Sequence, residues 1–274
     1  MSESSKNNKD SIQNVIVIAL VVCLFCAVVV AGSAVALKDR RVQNKALDKS
    51  KNVLIAAGLF ENGVTSVDDI DTLFEQFEPR VVDLRTNRML SAAEVADVEQ
   101  SLELDFGDYD QRKAAKDPQL STALTDAEDV ASINRREHYA LIYLLRSETG
   151  IDRIVLPVHG YGLWSTLYGF LALESDGNTV SGITFYEHSE TAGLGGEVDN
   201  PAWKAKWLGK KIYAGDGAVA MQVVKGSVDP NGSSAIHQVD GLSGATLTSK
   251  GVENMITYWL GDEGYGPMLS SIGG

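Results

Sequence analysis

From Ser11 to Leu37 the chain has no charged side chain, and Val15–Leu37 is almost wholly apolar. A helix rises about 1.5 Å per residue, so roughly 20 apolar residues cross the hydrocarbon core of a bilayer and this stretch suffices even when tilted. Backbone polar groups there need internal partners, which makes a helix the only form for an isolated span. A cleaved leader is the alternative, since Ala34-Val35-Ala36 has the A-x-A form. Leaders carry about 7–15 apolar residues, fewer than here, so the length favours a retained span. Cys23 and Cys26 lie inside it without the small-residue setting of a lipoprotein signal and read as lipid-facing or helix-packing residues.

Everything after the span reads as acidic and water-soluble. The formal net charge of −13 falls wholly after Leu37, because Glu3, Lys6, Lys9 and Asp10 cancel. Such a domain, with no compact basic patch, would repel a phosphate backbone and excludes nucleic acid as a partner. It has no cysteine, hence no disulfide and no thiolate metal site, which suits an exported domain. Its histidines (His138, His159, His188, His237) lack H-x-x-H or H-E-x-x-H spacing, so no metal site and no zinc hydrolase is expected. His159 and His188 read as structural. The flank after the span carries Lys38, Arg40, Arg41 and Lys45, against Lys6 and Lys9 before it. Taken alone, the positive-inside rule would put the large domain in the cytoplasm.

Val42, Leu47, Val53, Leu54 and Ala57 have helical spacing that ends at Gly58 and predicts a stalk. Ile70, Leu73, Phe74 and Phe77 form one stripe and predict a helix over 67–77, with Asp68, Asp69 and Asp71 at its start and Pro79 after it. Residues 90–136 are polar and poorly periodic and read as surface loops and short helices. Tyr139–Leu145, Ile154–Val158, Leu167–Leu173 and Val180–Tyr186 are short β-branched and aromatic runs separated by turn residues, with a hairpin turn at Asp176-Gly177-Asn178. Ile212–Val224 reads as one or two more strands. Val252, Met255, Ile256, Trp259 and Leu260 predict a last helix beginning near Thr248 or Ser249 and ending at Gly261. The fold class is α+β, one transmembrane helix followed by a soluble domain with a largely antiparallel sheet and flanking helices.

Asp240-Gly241-Leu242-Ser243-Gly244-Ala245-Thr246-Leu247-Thr248-Ser249 is the segment with most chemistry in it. Small residues let a ligand approach the backbone, and free amides at a helix start donate to phosphate oxygens. Three other readings compete. Serine and threonine before a helix are often only caps. Gly241-Leu242-Ser243-Gly244-Ala245 approaches the G-x-S-x-G elbow, but Ala245 replaces the last glycine and no histidine with an acid partner is evident. A mononucleotide loop needs G-x-x-x-x-G-K-[ST], which is absent.

D-G-L-S-G-A-T resembles the flavinylation motif of the FMN-binding domain family, in which FMN is joined through its phosphate to the final threonine, here Thr246. Gly160-Tyr161-Gly162-Leu163-Trp164-Ser165 resembles that family's G-x-G-L-W-S element, and Glu187–Gly195 its E-H-x-E-T-x-G-L-G element. Asn200-Pro201-Ala202-Trp203 and Trp207-Leu208-Gly209-Lys210 agree. With the anchor and the length, the whole chain resembles the C subunits of sodium-translocating NADH:quinone oxidoreductases. The related G subunit of a ferredoxin-linked complex shares the flavin motif, but the long insert before Tyr139 fits it less well. A membrane-anchored binding module without redox chemistry is the alternative from a different class.

The resemblance implies an electron-relay subunit. FMN would be attached by a flavin transferase to Thr246, with Asp240, Ser243, Gly244, Ala245, Leu247 and Thr248 around it. Leu163, Trp164 and Leu194 would wall the ring, Glu190 and Thr191 would make polar contacts, Gly162, Gly193 and Gly195 would admit the backbone, and Lys206 would meet the phosphate. The redox chemistry is the flavin's, so no catalytic residue is assigned. Expected boundaries are a tail at 1–14, the span at 15–37, a stalk and polar loops at 38–137 and an FMN-binding domain at 138–274. Implied partners are the other subunits of a membrane respiratory complex and membrane lipid, and the family places the large domain in the periplasm of a bacterial inner membrane, against the charge count.

Overall fold

The computed structural model describes residues 12–272 except 62 and 149. The tail ahead of Ile12 lies outside them, and Val42 and Lys45 of the stalk are described in their backbone only. Helix α1 (Ile12–Ala36) takes up the apolar stretch, and none of its residues is buried. Apolar on every side, it has the character of a span rather than of a helix that buries one stripe. It alone among the described helices is long and apolar enough to cross a membrane. Ser33, the hydroxyl in that stretch, donates to the Val29 carbonyl at 2.7 Å.

Helix α2 (Lys38–Ala56) takes up the stretch whose apolar spacing predicts a helix. It closes with amides of Gly58 and Leu59 donating back to Ile55 and Leu54, and Gly58 takes φ +71°, a left-handed stop that glycine adopts without strain. The stripe at 67–77 divides. A 3-10 turn at Val67–Asp69, capped by Ser66, runs into α3 (Ile70–Phe74). Phe77 instead opens β1 (Phe77–Asp83), because Pro79 pushes the residue before it into extended backbone.

The main sheet is built from β1, β2 (Arg88–Met89), β5 (Tyr139–Ser147), β6 (Gly150–Tyr161), β7 (Thr166–Glu174) and β8 (Val180–Glu187). These six strands run antiparallel in the order β2-β1-β5-β6-β7-β8. Pro79 is tolerated because β2 pairs only with Val82 and Asp83, leaving the outer side of β1 free at the proline. The sheet thus takes in a strand ahead of residue 138, and Lys49–Gly274 make one compact unit.

Both sheet faces are covered, which explains why these strands read as continuous apolar runs. Ala140, Ile142 and Leu144 join Leu156, Val158 and Leu171 in a core with α7 (Thr246–Leu260), whose Val252, Met255, Ile256 and Trp259 are all fully buried. The intervening Tyr139 and Val81 pack with Leu90, Phe106 and Tyr109 in a second cluster. That cluster organises the segment expected as surface loops and short helices: α4 (Ala92–Leu102) carries a Ser91–Glu94 capping box, α5 (Gln111–Ala114) follows, and the hairpin of β3 (Ser121–Ala123) and β4 (Arg135–Glu137) is the element not expected. After β8 come α6 (Pro201–Lys204), β9 (Gln222–Val224), its parallel partner β10 (Gln238–Asp240), α7 and α8 (Gly266–Ile272).

Glu137, ending β4, is fully buried; Gln111 donates to Oε1, and Oε2 has no partner among the described residues. Burial pushes its carboxyl up to about 7. The folded state therefore holds this proton more tightly than the unfolded chain, and the resulting stability is lost as pH rises from about 4.5 to about 7. Glu137→Gln is expected to remove that decline and to gain on the parent across the interval. Parallel pH profiles in urea unfolding would refute this.

Candidate functional site

The three segments that carry the resemblance meet on Glu190. Gly162–Ser165 is the turn between β6 and β7, closed by the Gly162 amide donating to the Ser165 carbonyl at 2.9 Å. Oε1 of Glu190 accepts from the amides of Leu163, Trp164 and Ser165 at 3.0, 2.9 and 3.3 Å. Oε2 accepts from the Thr248 hydroxyl, in the first turn of α7, at 2.6 Å. Burial would raise this carboxyl, but the Thr248 hydroxyl and the three amides together hold it below the usual carboxylate range. Behind it, His188 Nδ1 accepts from the Glu190 amide at 3.2 Å while the other ring nitrogen meets Asp199 at 2.8 Å. That fixes the tautomer, with the proton on Nε2. His159, held down to about 4 by burial and by the nearby Arg112 guanidinium, stays neutral, its carbonyl taking the Trp259 indole N–H. The His188 ring thus bonds within the protein, and the His159 ring packs against Tyr168 and Trp259.

Helix α7 starts at Thr246, two or three residues earlier than its pattern implies. Ala245, at the N-cap, supplies no side-chain cap. The first amides have no partner among the described residues, and with the positive end of the helix dipole they favour an anion. The hydroxyls that look like caps serve elsewhere: Thr248 binds Glu190, and Ser249 Oγ accepts from the Leu242 amide at 2.9 Å. Thr246 and Ser243 remain exposed, with no side-chain hydrogen bond among the described residues. Gly244 holds φ +70°, and a Cβ there would stand 3.0 Å from Leu194 Cδ2, so Leu194 lies against this turn.

Around Thr246 four apolar side chains are left in water: Leu163 (38% exposed), Trp164 (65%), Leu194 (43%) and Leu247 (62%). Isolated exposed leucines are ordinary, but these stand on the two segments joined by Glu190 and on the turn beside Gly244. Thr191 and Gly193 are exposed, and the Thr191 carbonyl accepts from the Leu194 and Gly196 amides. Two residues differ from expectation in what they touch. Glu190 is bonded to the protein rather than open to a ring. Lys206 pairs with Asp240 Oδ2 at 2.5 Å, while Oδ1 takes the Val228 amide. The ammonium of Lys206 thus holds the Asp240 carboxyl below its ordinary range.

Sequence reasoning missed Ser165, whose hydroxyl accepts from the Ser189 amide at 2.7 Å, and Gly251. Gly251 sits in mid-helix, where a Cβ would meet the Tyr161 carbonyl oxygen at 2.4 Å. A glycine interrupting the apolar stripe of a helix was the available signal.

The match to the FMN-binding domain covers residues 162–261, from the Leu163 turn through the whole of α7. Turn, clamp and helix thus make up a domain of the FMN-binding class. At full length the chain is 50% identical to the C subunit of the Na(+)-translocating NADH-quinone reductase of Pseudomonas aeruginosa, over 97% of each chain. Against the corresponding C subunit of Yersinia pestis it is 41% identical, over 99% of this chain and 97% of that one. The crystal structure of Shewanella oneidensis NqrC superposes with a TM-score of 0.71 at 33% identity, over 84% of this chain and 98% of that one. The chain belongs to the family of Na(+)-translocating NADH-quinone reductase C subunits.

Proposed function

We propose that this chain is a membrane-anchored electron-relay subunit that carries FMN phosphoester-linked to Thr246, inside a sodium-translocating NADH:quinone oxidoreductase. The observation that carries the proposal is the Thr246 hydroxyl, exposed and without a hydrogen bond among the described residues, on the first turn of α7, which has no side-chain cap. The residues present fit the group. Open amides and the helix dipole suit a phosphate, and Leu163, Trp164, Leu194 and Leu247 offer a flat ring apolar surface that water otherwise covers. When bound, the flavin supplies electron transfer. The chain's own part is to hold the phosphate at α7, present the apolar side chains and keep Glu190, His188 and the Lys206–Asp240 pair in place behind them.

Attachment by a flavin transferase balances as a group transfer. The Thr246 oxygen bonds to the FMN phosphorus of FAD, the pyrophosphate bond breaks, and AMP leaves with the hydroxyl proton. The test is ultraviolet fluorescence of the native-source chain in a denaturing gel, then the mass of the Thr246 peptide. A fluorescent band and a peptide heavier by FMN less one water are expected. A dark band at the unmodified mass, with transferase present, would overturn the proposal.

We further propose the boundaries given by the sequence, with the cofactor domain drawing β1 into its sheet, and a periplasmic domain contacting lipid only through α1. Partner subunits inserted together can override a weak charge bias. Alkaline phosphatase fused after Gly274 should be active; a silent fusion, with the chain present in the membrane, would place the domain in the cytoplasm.

A further inference from the structure

We propose that Glu190 is a positioning residue for the bound flavin, fixing the Leu163–Trp164 turn to the first turn of α7 so that a ring attached at Thr246 keeps one orientation. The inference rests on the reading of Thr246 above and deepens it.

The carboxylate occupies a space shaped for it. A Cβ on Gly162 would come within 2.6 Å of Oε1, and one on Gly195 within 2.6 Å of Oε2 and 2.5 Å of the Thr248 hydroxyl oxygen. Either would evict the carboxylate. Three successive amides converging on one oxygen form a nest for an anion, and the anion is supplied by the chain itself. Its second oxygen reaches the buried hydroxyl of Thr248, two residues after Thr246 on α7. The His188 ring and the Ser165–Ser189 bond brace the same junction from behind. All of these contacts go to protein donors, so Glu190 acts on the ring only through the turn and the helix.

A turn held for its own stability would gain by burying its largest apolar side chains. This one is gripped by its backbone, which leaves Leu163 and Trp164 in water beside the attachment point. Such an arrangement serves an apolar body that arrives later, and the clamp sets where its support stands.

The test uses the full flavin-loaded chain in detergent, reading flavin fluorescence anisotropy and the induced visible circular dichroism, which come only from loaded molecules. Glu190→Ala is expected to lose most of the induced signal and to free the ring for fast local rotation. Glu190→Gln should keep most of both, because one oxygen can still accept the three amides while the Thr248 hydroxyl turns to accept from the new amide. Ser91→Ala lowers the melting temperature through α4 without touching the turn and should leave both signals unchanged. A folded Glu190→Ala chain with parental anisotropy and dichroism would overturn the proposal. Should that variant not fold, Thr248→Val decides by the same criterion, since it removes one bond and little volume. An unlabelled parent chain would instead overturn the function itself, and this inference with it.

Discussion

Thr246→Val gives a folded chain with no covalent flavin: the gel band is dark, the peptide mass is unshifted, and electron flow from NADH to quinone through the assembled complex is lost. The hydroxyl is exposed and makes no hydrogen bond among the described residues, so its removal should change stability by no more than about 0.5 kcal/mol. Thr248→Val reverses the pattern. It keeps the reacting hydroxyl but strands Glu190 Oε2 in a buried place, at a cost of about 1–3 kcal/mol. Ser243→Ala keeps the flavin, because Ser243 lies before the Gly244 turn and off the helix. The three variants together separate the attachment oxygen from its neighbours, all small hydroxyl residues in one short segment. Only the gel, the peptide mass and a thermal melt are needed. A fluorescent Thr246→Val band would place the bond elsewhere and remove the main support for the proposed role.

Chemistry that is local in sequence was legible, and chemistry that joins distant segments was not. The span follows from composition and length, and β5 to β8 from apolar runs that fit a sheet buried on both faces. β1 was hidden because Phe77 falls in register with a helical stripe and Pro79 looks like a stop; only its pairing with β5 rescues it. Residues 90–136 read as surface loops and short helices because their apolar side chains are too sparse for a period. Phe106 and Tyr109 nonetheless gather with Tyr139 into a cluster. At the site, the motif identified Thr246, but no spacing rule could link Glu190 to Thr248, which lie 58 residues apart. The same holds for Lys206, whose charge suggested a phosphate and whose neighbour in space is Asp240.

Gly251→Ala tests whether the site depends on how closely α7 lies against the β6–β7 turn. On helix propensity alone the substitution should stabilise, by as much as about 1 kcal/mol. Packing opposes it. The new Cβ would stand 2.4 Å from the Tyr161 carbonyl oxygen, 3.0 Å from Gly162 Cα and 3.2 Å from the Tyr161 carbonyl carbon, all backbone atoms with no rotamer to yield. Either the helix or the turn must move, and overpacking of this kind costs about 1–3 kcal/mol. Packing therefore wins, with a net loss of about 1–2 kcal/mol and a fall of a few degrees in melting temperature. The displaced atoms adjoin Leu163 and Trp164, and the displaced helix carries Thr246 and Thr248. Stability and the induced dichroism of the flavin should therefore fall together, whereas a cavity at Phe106, which packs against Tyr109 and Tyr139, lowers stability alone. A rise in melting temperature would show that the contact is loose, and a ring seat built on that contact would then have no rigid floor.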